Sequence, residues 1–183
     1  MYTTLNKIRV KGPCMGGWKT LLRFLGKTGP DDEPISVLTV LKSNGLDDAI
    51  WCLRAVDGCE REMRLFAVKC VRSFQHEISD RRSLNALDVA EAYANGLATV
   101  EQLRRARDDA RLALLDLQLD SCSMVEYTVT DAAVKAATAD AAQAASWASA
   151  WMLWMLWGNG DFQEKLFIDT FINREGEVNV QDS

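Results

Sequence analysis

Histidine is almost missing from this chain of 183 residues: His76 is the only one, and no motif surrounds it. Nucleophilic catalysis needs a nucleophile, a base and an orienting group, so the supply of bases is thin. The five cysteines (Cys14, Cys52, Cys59, Cys70 and Cys122) are odd in number and form no C-x-x-C pair. Only His76 could join them as a soft ligand, and neither a disulfide framework nor a zinc site is expected. Three of them fall in apolar helical patterns, where a free thiol packs as a small hydrophobe, and that usage fits a reducing cytoplasm. Phosphate-binding glycine loops are missing as well: there is no Walker A, no G-x-G-x-x-G and no G-x-S-x-G. No run is long and apolar enough to cross a ~30 Å hydrocarbon core. The best window, 147–157, is followed upstream by Gln143, Asp140 and Lys135. The N-terminus, MYTTLNKIRV, lacks the apolar stretch of a leader peptide. The expectations are no enzyme activity, no cofactor, no metal, no membrane span and a cytoplasmic location.

Acid is missing from the first 30 residues. They hold Lys7, Arg9, Lys11, Lys19, Arg23 and Lys27 without one carboxylate, leaving 15 bases against 26 acids, a net −11, on the remainder. Such a basic segment is a solvated face or a docking face for an acidic surface. A cluster of four arginines, Arg104, Arg105, Arg107 and Arg111, is interleaved with Glu101, Asp108 and Asp109. It reads as a surface laced by ion pairs rather than a nucleic-acid stripe, and no nucleic-acid partner is expected.

What is present is helical periodicity. The spacing predicts helices over Thr4–Val10, Met15–Leu25 (with Gly26 as the stop) and a stretch opened by Pro34 in which Ile35, Leu38 and Leu41 recur. Further helices follow over Leu46–Val56, Glu60–Ile78 and Arg82–Ala94. In Glu60–Ile78, Met63, Phe66, Ala67, Cys70, Phe74 and Ile78 make the buried stripe, with Arg61, Arg64 and Arg72 outward. Thr99 and Gln102 form a capping box for a helix to Leu119. Residues 121–130 have strand-like character but no partner strand, and read as a connector. Residues 131–157 then form the longest helical pattern, alanine-rich at its start and holding four of the six tryptophans at its end. A last helix runs from a capping pattern at Asp161–Glu164 to Ile172. The fold class is therefore all-α, a compact domain of seven to nine helices packed as hairpins around one long Ala/Trp-rich helix. Residues 1–173 would be a single domain and 174–183 a loose tail.

Two sets of residues are candidates for a site. Trp147, Trp151 and Trp154 share one helical face, with Trp157 at its edge. Large aromatics at this spacing suit a bundle core, and equally a contact with another chain, in which tryptophan is over-represented. Asp47 and Asp48 open a helix, where carboxylates complement the dipole; they are also the candidate ligand or Mg²⁺ pair.

Asp31-Asp32-Glu33-Pro34, the run from Ser43 to Gly58 (SNGLDDAIWCLRAVDG), Arg64-Leu65-Phe66-Ala67 and Ala94–Thr99 ahead of an Ala-rich helix resemble a group of phage and prophage proteins of unassigned function. These are close to the all-helical immunity proteins of bacterial toxin systems, and the Phe162–Phe171 ending is similar too. The resemblance covers most of residues 1–110 and carries no catalytic residues. It implies a non-enzymatic inhibitor that neutralises a toxin or a defence-system component, anti-CRISPR-like or immunity-like, by direct docking. The alternatives are a small-molecule or metal-binding helical enzyme using Asp47 and Asp48, or a structural homo-oligomer such as a homodimer.

Overall fold

The computed structural model describes residues 1–119, 124–146 and 160–173. Helices dominate the described residues, and the fold is all-α. The Trp147, Trp151, Trp154 and Trp157 face lies outside the described residues, as does the 174–183 tail. Two compact units emerge, one of residues 1–59 with the C-terminal segment from Glu164, the other of residues 60–163.

In the first unit, α1 (Leu5–Val10) is capped by Thr4, whose hydroxyl accepts from the Lys7 amide. Helix α2 (Met15–Leu25) ends where Gly26 takes the left-handed conformation at φ 66°. Only Gly pays no Cβ penalty there, and its amide closes the last turn. Pro34 does not open the next helix. Ile35–Ser36 (β2) instead pairs antiparallel with Tyr2–Thr3 (β1), in the register Tyr2 to Ser36 and Thr3 to Ile35. Ser36 then caps α3 (Val37–Asn44), its hydroxyl accepting from the Thr39 amide at 3.1 Å. In the loop before β2, Asp31 and Glu33 pair with Lys27 at 2.7 and 2.6 Å. Helix α4 (Leu46–Cys52) is shorter than its sequence pattern, and its last turn tightens into a 3₁₀ segment, Leu53–Ala55. Leu5, Ile8, Leu21, Val37, Ile50 and Leu53 are buried here, together with Phe167 and Phe171 of the C-terminal helix α10 (Gly160–Phe171).

The second unit is a packed set of α5 (Glu60–Arg72), α6 (Arg81–Ala94), α7 (Val100–Leu119) and α8 (Met124–Ala136). Sequential helices are neighbours, and α8 also lies against α5 and α6. Alanine explains how closely they approach: Ala86 and Ala90 of α6, Ala106 and Ala110 of α7, and Ala137 share one cluster with Leu103 and Val68. Ala132, Ala133 and Ala136 of α8 meet Val71, Leu87 and Ala67 in another. The Thr99–Gln102 capping box is present with both bonds made, at 2.7 and 3.2 Å. Helix α5 stops at Arg72, before its sequence pattern does, and Gln75–Glu77 forms a 3₁₀ turn.

Three expectations fail in this unit, all connected. The supposed connector is helical from Met124, even though Val125, Thr128 and Val129 are β-branched. Their propensity penalty is only a few tenths of a kcal/mol each, and burying Val129 against Val71 and Leu87 outweighs it. The long helix is not continuous, because α8 ends at Ala136 and the chain turns through 137–140 before residues 141–146 (α9) are helical again. Arg64 does not face outward. It is 2% exposed, and its guanidinium donates to the carbonyls of Ala136, Thr138 and Ala139 at 3.1, 2.6 and 2.9 Å. A cation thus occupies the negative end of α8 and satisfies carbonyls that a helix terminus orphans. Burial pulls the guanidinium's pKa down, while the Tyr93 ring beneath it and Asp140 oppose the shift. Asp140 restarts the chain as a cap, its carboxylate accepting from the Gln143 amide at 2.9 Å.

Candidate functional site

The first unit contains a cavity of about 160 Å³ between α2, α3 and α4. Its walls are mainly apolar, with Trp18 and Leu21 from α2, Val40 from α3 and Trp51 from α4, and its polar side is made by Asn44 and Asp48. Asn44 is the last residue of α3 and Asp48 lies in the first turn of α4, so the Gly45 turn between the helices sets their spacing. Asn44 is fully engaged. Its amide nitrogen donates to Gly17 O at 2.9 Å and to Asp48 Oδ2 at 2.7 Å, and its oxygen accepts from Ser43 Oγ at 2.6 Å. Gly17 makes this junction possible: a Cβ there would come within 2.5 Å of Asp48 Oδ2. Two glycines in the first turn of α2 cost helix stability, and one of them is spent on letting a carboxylate approach.

Two thiols also border the cavity. Cys14 Sγ accepts from the Gly17 amide at 3.2 Å and caps α2. Burial pushes the Cys52 thiol up to about 12, with the charges of Asp48 and Cys59 adding to the effect. A neutral, desolvated thiol is a poor nucleophile. No group of three histidine, cysteine or carboxylate side chains that could hold a metal exists among the described residues.

No family model matches this chain, and neither a curated protein nor a solved structure matches it.

Of the paired carboxylates, Asp48 lines the cavity, whereas Asp47 is exposed and contributes nothing to its wall. Successive helical residues point about 100° apart, so one of two adjacent acids on α4 faces water. His76 is in the second unit, on the exposed 3₁₀ turn, with Glu77 Oε1 3.3 Å from its Nε2. Of the four α7 arginines, Arg107 pairs with the neighbouring Asp108 at 2.8 Å, and no ion pair among the described residues engages Arg104, Arg105 or Arg111, so the lacing expected from the sequence is reduced to one contact. Trp18, Gly17, Asn44 and Trp51 were not singled out from the sequence. The available signal was local: Asp48, Trp51 and Cys52 stand at i, i+3 and i+4 on one helical face.

A second feature of this unit is the outer surface of α1 and α2. Leu21 is the only residue of α2 that is fully buried. Met15 is 69% exposed and Phe24 56%, and they stand half a turn apart around the helix. Lys19 and Arg23 occupy the arc between them, both exposed. Val10, at the end of α1, is 84% exposed, with Arg9 and Lys11 on either side. Lys7 is tied to Asp57 at 2.6 Å and Lys27 to its two carboxylates, while no ion pair among the described residues engages Arg9, Lys19 or Arg23. No helix among the described residues is long and apolar enough to cross a membrane.

Proposed function

We propose that this chain acts by docking on another protein, and that the outer face of α1 and α2 is a contact surface for an acidic partner. The observation that carries this reading is the combination on one short segment: Val10, Met15 and Phe24 exposed beside Arg9, Lys19 and Arg23, which make no ion pair among the described residues. Exposed apolar anchors interleaved with one sign of charge suit a protein interface, where the apolar groups supply affinity and the charges supply steering. A phosphate backbone would use the charges but give the methionine and phenylalanine no partner. The similarity of residues 43–58 to phage and prophage proteins points to the partner class: a bacterial toxin, or a component of a bacterial defence system such as a CRISPR effector. The chain then works as an inhibitor by occlusion, without chemistry of its own.

The test is capture from bacterial lysate by the wild-type chain and by two surface variants, Met15→Asp/Phe24→Asp and Lys19→Glu/Arg23→Glu. The reading requires one acidic protein that is captured by wild type, survives nuclease treatment, weakens in high salt and is lost with both variants. Equal capture by all three chains removes α2 from the interface, and loss on nuclease treatment replaces the protein partner with a nucleic acid.

A further inference from the structure

We propose that the cavity between α2, α3 and α4 is a binding site for a small organic ammonium ion: a primary amine carried on an apolar body of about six or seven carbons. The site is independent of the docking surface and stands on its own geometry. Size sets the first limit. An empty apolar cavity of ~150 Å³ holds a benzene molecule, and this one is about 160 Å³. That is below the roughly 300–1,000 Å³ of nucleotide and drug-sized sites, so the group held inside is a small one.

Charge sets the second limit. Among the described residues Asp48 is the only charged side chain lining the cavity, which disfavours an anion and favours a cation. Hydrogen bonding sets the third. Both Asn44 donors are spent, on Gly17 O and on Asp48 Oδ2, and the Gly17 amide is spent on Cys14 Sγ. Among the described residues no hydrogen bond is made to Asp48 Oδ1, so this side of the cavity asks its ligand for a donor rather than for an acceptor. The remaining walls suit the rest of such a molecule. Trp18 and Trp51 offer aromatic surface to an apolar body, the Arg54 guanidinium already lies over the Trp51 ring at 5.3 Å so that an ammonium group has the Trp18 ring, and Leu21 and Val40 line the apolar side. A bare metal ion fits poorly, because it would face one carboxylate among hydrocarbons. The purpose of Gly17 follows as well: without a side chain at that position, Asp48 is held at the cavity wall rather than turned out to solvent.

The probe is benzylamine, with benzyl alcohol and benzoate as the neutral and anionic analogues of nearly the same shape. Each is titrated into the full chain at neutral pH while the indole N–H resonances of Trp18 and Trp51, assigned with Trp18→Phe and Trp51→Phe, are followed by NMR. Benzylamine should shift both resonances saturably and bind about tenfold more tightly than benzyl alcohol, a difference of ~1.4 kcal/mol. Benzoate should shift neither. In Asp48→Asn, which keeps the side-chain shape and the contact with Asn44, benzylamine should fall to the level of benzyl alcohol. Equal binding of amine and alcohol by the wild type, a linear response without saturation, or undiminished amine binding by Asp48→Asn each overturn the proposal. The wild-type comparison decides by itself should that variant not fold. Loss of lysate capture by the α2 surface variants bears only on docking, so the two readings fail separately.

Discussion

Replacing Arg64 with methionine tests the account of why the alanine-rich segment is two helices. The aliphatic stem is kept, and what goes is the guanidinium with its bonds to Ala136, Thr138 and Ala139. The three carbonyls are not equivalent. Ala139 is exposed and Thr138 half-buried, so their oxygens can take water in place of the lost donor, whereas Ala136 is fully buried. The loss is then one charge-assisted bond, about 1.5–3 kcal/mol, with about 1–3 kcal/mol for a stranded buried carbonyl. Separation of the cation from the Tyr93 ring, now 5.1 Å from its centroid, adds about 0.5–1 kcal/mol. Against this, methionine avoids the desolvation of a charge, and the net cost is about 3 kcal/mol. Lysine keeps the charge but cannot span three acceptors, and should lose about half as much. Urea unfolding gives the energies. Amide exchange locates them, with protection of the Ala137 and Thr138 amides, which bond to Ala133 O and Lys135 O, falling first. A loss under about 1 kcal/mol for Arg64→Met, or methionine no worse than lysine, would refute the view that this cation holds the end of α8.

Thr99→Ala removes one half of the capping box of α7 and should cost about 1 kcal/mol in the same unfolding assay, with Gln102→Ala giving a comparable loss because the two bonds are reciprocal. Thiol labelling at pH 8, read peptide by peptide by mass spectrometry, should modify exposed Cys14 readily and leave Cys52 and Cys70 protected, since burial pushes both of those thiols up to about 12. Rapid modification of Cys70 in the folded chain contradicts the packing of α5. Acid should destabilise the protein through Asp80, whose carboxyl Arg82 holds below its usual range by direct hydrogen bonding. A depressed folded pKa contributes stability that is complete above the unfolded value of about 4 and is lost as pH falls through the folded value. Asp80→Asn should therefore lower stability at neutral pH and flatten its decline below pH ~4, and an unchanged slope there removes Asp80 from the account.

Local signals read well where the local energy is also the deciding energy. Thr4 before α1, Gly26 after α2 and the Thr99–Gln102 pair appear where their caps are needed, because each satisfies backbone groups within a few residues of itself. Signals failed where a distant group decides. Propensity joins Ala136 to Ala141 without a break, since alanine is the best helix former. The break needs Arg64, more than 70 residues away in sequence, to supply donors to the loosened carbonyls. One part of it was legible: Asp140 with Gln143 three residues on is a capping pattern, and Asp140 does accept from that amide. Ile35–Ser36 went the same way, because their pairing with Tyr2–Thr3 outweighs the apolar spacing that suggested a helix from Pro34.

The site was half legible for a related reason. Adjacency marked Asp47 and Asp48 as a pair, and a pair suggests a metal; helix geometry then separates them, one to water and one to the cavity wall. What gives Asp48 its setting comes from α2 and α3, through Gly17, Trp18 and Asn44, and nothing in the spacing along the chain joins those residues to position 48. The glycine pair inside the first turn of α2 is a signal carried by the sequence, because each glycine in a helix costs about 1 kcal/mol against alanine. Gly16 has open space around its α-carbon and Gly17 does not. The two glycines are thus unlike: alanine at position 16 gains helix stability and touches nothing, whereas alanine at 17 meets the Asp48 carboxylate. The same substitution at neighbouring positions, with opposite sign, separates a flexible helix start from a junction built to hold a carboxylate.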